Sequence, residues 1–109
     1  MPRSRRVRFA QAATEELDET WDYIRRESGA ARADAVLARV VAGCRRLEHA
    51  PSLGRAVPAL GPGLRMLIVE GFKVVYLIAG DERVEIVRVI HGRRDFPKAW
   101  RDRDPDAHS

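Results

Sequence analysis

The sequence predicts a single α+β domain, an antiparallel sheet packed against a two-helix hairpin in the order β-α-α-β-β-β. Three observations predict it. Apolar residues recur at helical spacing through residues 12–47. Residues 64–90 hold three short runs rich in Val and Ile, broken by turn residues. A chain of 109 residues, 45% hydrophobic and 33% charged, suffices for one core and carries too little net charge per residue for disorder.

Residues 5–10 (RRVRFA) alternate charged and apolar side chains, with Val7 and Phe9 on one face, the period of a half-buried strand. From Ala12 onward Ala13, Leu17, Trp21 and Ile24 form an apolar stripe, and Glu15, Glu16, Asp18, Glu19 and Asp22 fall on the other face. Acids early and Arg25-Arg26 late suit the helix dipole, and Ser28-Gly29 supplies the stop. A second stripe (Ala33, Val36, Leu37, Val40, Val41, Cys44, Leu47) runs to Pro51, so the two helices form an antiparallel hairpin. Residues 51–63 (PSLGRAVPALGPG) carry three prolines and three glycines without periodicity and read as a loop. Residues 64–69, 72–79 and 83–90 then form a three-stranded meander around Glu70-Gly71 and Gly80-Asp81-Glu82. Trp21 reads as core and Trp100 as the anchor of a short terminal segment, closing a domain over residues 1–100; residues 101–109 are too polar to pack and are expected to fray.

The formal charge is +4, and only Lys73 and Lys98 among the 20 basic residues are lysines. Arginine's planar fork suits phosphates and carboxylates, although a GC-rich genome also favours arginine, so position must decide. Arg65 opens a strand, Arg88 interrupts an apolar one, Arg93-Arg94 follow it and Arg55 lies in the loop. With His91 at the end of the last strand, Arg55, Arg65 and Arg94 are expected to gather into one positive patch; the opposing reading is a set of solvated edge charges. His91 suits either proton transfer or a loop hydrogen bond. Tyr76 suits packing more readily than proton donation.

Cys44 is the sole cysteine, sits in an apolar stripe and reads as a small buried hydrophobe. His49 and His108 have no partners at metal-ligand spacing, so no metal is expected, and without a phosphate-cradling glycine motif or a serine elbow no cofactor is expected either. The basic start precedes no long apolar stretch, so the expectation is a cytoplasmic protein with no signal peptide and no membrane association.

Ala13 followed by L-x3-W-x-Y-I to Ile24, L-x3-P-x2-G-R from Leu47 to Arg55, G-x-R from Gly63 to Arg65, V-x-Y-x-I from Val74 to Ile78 and IVRVIHGRRD from Ile86 to Asp95 together resemble the RelE/ParE toxin superfamily. The ending is similar to that of its ParE branch. The resemblance implies a toxin of a type II toxin–antitoxin system, of the plasmid-stabilisation kind, neutralised by a cognate antitoxin with a flexible acidic segment. It implies either of two activities. A ParE-like protein inhibits DNA gyrase by binding, with no catalytic residues and with Arg55, Arg65, Tyr76, Arg88, His91, Arg93 and Arg94 as candidate target contacts. A RelE-like protein is a metal-free endoribonuclease acting on ribosome-bound mRNA, with His91, Arg65, Arg55 and Arg94 as candidate catalysts. The loop lacks the lysines of such nucleases, no tyrosine follows the last strand, and Gly92 stands where some carry an aromatic group, so ParE is the favoured branch. A plain nucleic-acid-binding module ranks last, because Phe9, Phe72, Tyr76 and Trp100 are too scattered for base stacking.

Overall fold

A computed structural model describes residues 6–81, 83–92 and 94–102. The chain runs β1 (Arg6–Phe9), α1 (Gln11–Ser28), α2 (Ala30–Arg45) with a 3-10 turn at Arg46–Glu48, β2 (Arg55–Ala56), a second 3-10 turn at Pro58–Leu60, β3 (Arg65–Val69), β4 (Phe72–Ala79), β5 (Arg83–His91) and α3 (Phe96–Asp102). The meander and the helical hairpin stand where periodicity places them, and β2 adds a short strand inside the predicted loop. The sheet order is β1-β5-β4-β3-β2, with β1 parallel to β5 and every other pair antiparallel.

Gly29 alone joins α1 to α2, at φ 89 and ψ 163, a backbone state that a side chain would strain. The Trp21 indole N–H donates to the Asp34 carboxylate at 2.8 Å across this corner. Trp21 is only half-buried, and Tyr23 two residues on is 60% exposed. At the β3–β4 turn Glu70 and Gly71 both take positive φ (51 and 81), the geometry of a two-residue turn that follows the strand twist.

The sheet is covered on both faces at its centre. Ala13, Val40, Cys44 and Leu47 of the helical layer meet Val69, Phe72, Val74, Tyr76, Val84, Ile86 and Val89. On the opposite face Val57, Met66 and Val75 pack with Leu60, Leu64, Phe96 and Trp100, so the terminal segment is a helix whose aromatic residues anchor it to the sheet. A bulge arranges this division. Val75 pairs with Arg88 and Tyr76 with Ile86, leaving Val87 as the extra residue; Ile86 and Val89 therefore both face α1 and α2, and Arg88 faces α3.

Candidate functional site

The loop after α2 is tied down by two residues of the sheet. The fully buried Tyr76 hydroxyl donates to the Pro51 carbonyl at 2.7 Å and accepts the Gly54 N–H at 2.9 Å. Arg65 donates from Nε to the Gly54 carbonyl at 3.0 Å and from Nη2 to the Ser52 carbonyl at 3.2 Å. Gly54 has no room for a side chain: a Cβ would stand 2.6 Å from the Met66 carbonyl and 2.8 Å from the Tyr76 hydroxyl. The P-x2-G-R spacing thus encodes a clasp, whose product is a fixed platform presenting Arg55 and Leu53 (43% exposed) to solvent. Tyr76 and Arg65 build that platform from inside; the buried Tyr76 side chain offers a target no surface.

Arg88 is corrected in the same way. It is 3% exposed and donates from Nε (3.0 Å) and Nη2 (2.9 Å) to the two oxygens of Glu16. It also donates to the Ala99 carbonyl at 2.7 Å and the Trp100 carbonyl at 2.9 Å, in the last turn of α3, where carbonyls lack helical donors. Glu16, which helical spacing puts on the polar face of α1, is equally buried. The cause is the shortness of β1: it pairs with β5 only as far as Ile86, and beyond that point the Glu16 carboxylate takes the Val89 N–H at 3.0 Å in place of a strand. Arg88 therefore bolts α1, β5 and α3 together, with its guanidinium buried and bonded internally.

His91 lies at the other end of the sheet, its ring edge-on to Phe72 with centroids 4.9 Å apart. Two adjoining recesses of about 390 and 400 Å³ meet there, sharing Tyr23, Ile24 and His91. One runs along α2 past Arg32, Val36 and Arg39 to Glu70, and the other follows α1 past Glu19 and Thr20 to Arg94. The Gly92 N–H donates to the Gly71 carbonyl at 2.9 Å, and a Cβ on Gly92 would stand 2.4 Å from that oxygen. Glycine at 92 is thus a steric requirement of this turn. Arg93 lies outside the described residues.

The single patch expected from sequence divides in two. Arg55 and Arg65 sit at the start of β3, where Ala56 pairs with Arg65, whereas His91 pairs with Phe72 at the far end of β4, beside Arg94. From the Arg65 position to the His91 position is four residues along the strands, roughly 13 Å, and two strand spacings across, roughly 10 Å. Antiparallel register sets this separation, and side-chain type carries no trace of it. Cys44 is buried, and burial pushes its thiol up from an ordinary 9.0 to about 12, which holds it neutral. At the exposed hairpin tip the hydrogen bond from Arg25 holds the Asp22 carboxyl below its usual value. Among the described residues no His, Cys, Asp and Glu cluster of metal-binding size occurs, and no helix is long and apolar enough to cross a membrane.

A helical hairpin laid on a five-stranded sheet is an α+β fold that fits a toxin of the RelE/ParE superfamily. Within that class, residues 7–96 match the family model of the ParE toxin of the type II toxin–antitoxin system parDE, and the chain belongs to the ParE toxin family. It is 30% identical over 95 residues to toxin ParE1 of Mycobacterium tuberculosis, covering 87% of this chain and 97% of that one. Toxin ParE3 of Caulobacter vibrioides is 33% identical over 91 residues, 84% of this chain and 90% of the relative. Among solved structures, the chromosomal ParDE system of P. aeruginosa superposes with a TM-score of 0.70 over 81% of this chain and 96% of that chain; at 21% identity the likeness is one of fold.

Proposed function

We propose that this ParE-family toxin acts in the cytoplasm as a binding inhibitor of DNA gyrase and is neutralised by a cognate antitoxin. The observation that carries the reading is the division of the candidate catalysts. A metal-free ribonuclease needs an acid or base within reach of the proton it moves and cations that converge on the same phosphate. Here His91 stands roughly 16 Å from Arg65 by strand geometry, and the Arg65 guanidinium is spent on the Ser52 and Gly54 carbonyls of the loop. Arg55 with Leu53 on one side and Arg94 with His91 on the other are surfaces able to meet a target. The recesses beside Tyr23, Ile24 and Val36 suit the apolar side chains of an antitoxin segment, and Arg32 and Arg94, which stand among Glu19 and Glu27 at their rims, suit individual acidic ones.

The test is gyrase supercoiling in vitro with the purified full chain, with and without the protein encoded by the neighbouring gene. Inhibition relieved by that protein, and weakened at least tenfold by Arg55→Gln plus Arg94→Gln with the unfolding midpoint unchanged, is the expected result. Undisturbed supercoiling together with cleavage of mRNA in a translating extract would replace this reading with the ribonuclease.

A further inference from the structure

We propose that the outer face of the β1–β5 edge is a binding surface for the phosphate backbone of duplex DNA, formed by Arg6, Arg8 and Arg83. Val7 and Phe9 turn toward the helices, which puts Arg6 and Arg8 on the opposite face, and Val84 does the same for Arg83 and Glu85 on β5. In the parallel register Arg6 stands directly beside Arg83 and Arg8 beside Glu85. Adjacent strands are ~4.8 Å apart and alternate residues ~7 Å, so three guanidinium stems rise from one small triangle.

Like charges placed directly beside one another in a sheet destabilise it. Several arginines elsewhere pair with acids: Arg25 and Arg26 with Asp22, Arg39 with Glu70, Arg45 with Glu48 and Arg88 with Glu16. Among the described residues Arg6, Arg8 and Arg83 have no acidic partner, although Glu85 is at hand, and all three are exposed. An external polyanion removes the repulsion. The chemistry favours phosphate, because the guanidinium fork binds it bidentately and a DNA strand offers one phosphate per ~3.4 Å of rise. It favours a duplex because the same-face strand neighbours Glu85, Leu77 and Ala79 offer no ring on which an unpaired base would stack. Positions 3 and 5 of the sequence are also arginine. The surface is distinct from both the Arg55 platform and the His91 recesses, and its test involves no gyrase, so the inference stands or falls separately from the target.

The experiment is fluorescence anisotropy of a labelled 20-base-pair duplex titrated with the full chain across a salt series. Arg6→Gln, Arg8→Gln and Arg83→Gln together are expected to weaken binding at least tenfold and to reduce the slope of log affinity against log salt by about 2–3, near 0.9 for each phosphate no longer neutralised. Glu85→Gln, which removes the carboxylate paired across the strands with Arg8, is expected to tighten binding twofold or more, and that gain requires a folded protein. Asp18→Asn, an identical change of charge on α1, is the control. Equal tightening by Asp18→Asn would reduce the effect to net charge and overturn the surface, as would unchanged duplex affinity in the triple variant or equally strong binding of a single strand of the same length.

Discussion

The centre of the sheet and its β1 edge treat arginine in opposite ways. At the centre, Arg65 and Arg88 turn inward: one holds a loop through its carbonyls, and the other is 3% exposed and grips Glu16 and the end of α3. At the edge, Arg6, Arg8 and Arg83 stand exposed and beside one another, and among the described residues none of them forms an ion pair, even with the neighbouring Glu85. The same side chain is an internal strut in one region and an outward charge in the other. What separates the two is whether unpaired backbone carbonyls and a carboxylate lie within reach, as they do at the α2–β2 loop, the α3 terminus and Glu16. An arginine count is therefore a poor guide to a binding surface until the internally bonded ones are set aside.

The largest effect is expected at Arg88. Arg88→Met leaves the Glu16 carboxylate buried and uncompensated and is expected to cost about 3–5 kcal/mol in urea unfolding, whereas Glu16→Leu combined with Arg88→Met recovers most of the loss. A loss under 1 kcal/mol would place Arg88 with the outward arginines. Next comes the loop clasp. Tyr76→Phe strands the Gly54 N–H and the Pro51 carbonyl and should lower stability by about 1–3 kcal/mol, with faster amide exchange at Gly54 as the local signature. Gly92→Ala forces a Cβ against the Gly71 carbonyl and is expected to cost about 1–3 kcal/mol by the same assay. Arg6→Gln sharpens the contrast from the other side: stability is expected to hold or rise by about 0.2–1 kcal/mol at low salt, through relief from Arg83. A separate effect, seen only at alkaline pH, concerns Cys44. Its folded pKa is raised, so its contribution to stability is complete below about 9.0 and is lost as the pH climbs toward about 12, while a thiol reagent at neutral pH should modify only unfolded chains.

Most of the architecture was legible in the sequence. The two apolar stripes, the glycine between them and the three Val- and Ile-rich runs are local signals, and α1, α2, β3, β4 and β5 follow them closely. The sites were less legible. Glu16 looks solvent-facing by helical period, yet it bonds Arg88 from 72 residues away. The bulge at Val87 re-aims Arg88 toward α3, and two-residue alternation contains no warning of it. For Tyr76 a signal was available: a tyrosine inside an apolar strand needs a partner for its hydroxyl, and a P-x2-G turn supplies a carbonyl and an N–H.

The sequence by itself determined the order of elements, the helical hairpin, the neutral buried cysteine and the ParE resemblance, because each is recorded in spacing and composition over neighbouring residues. Tertiary structure decided that β1 lies parallel to β5 at the edge, that Arg55 and His91 fall at opposite ends of the sheet, and which arginines remain outside. Those outcomes depend on strand register and on hydrogen-bond partners distant along the chain, and pairing across such distances leaves no periodic mark on either partner.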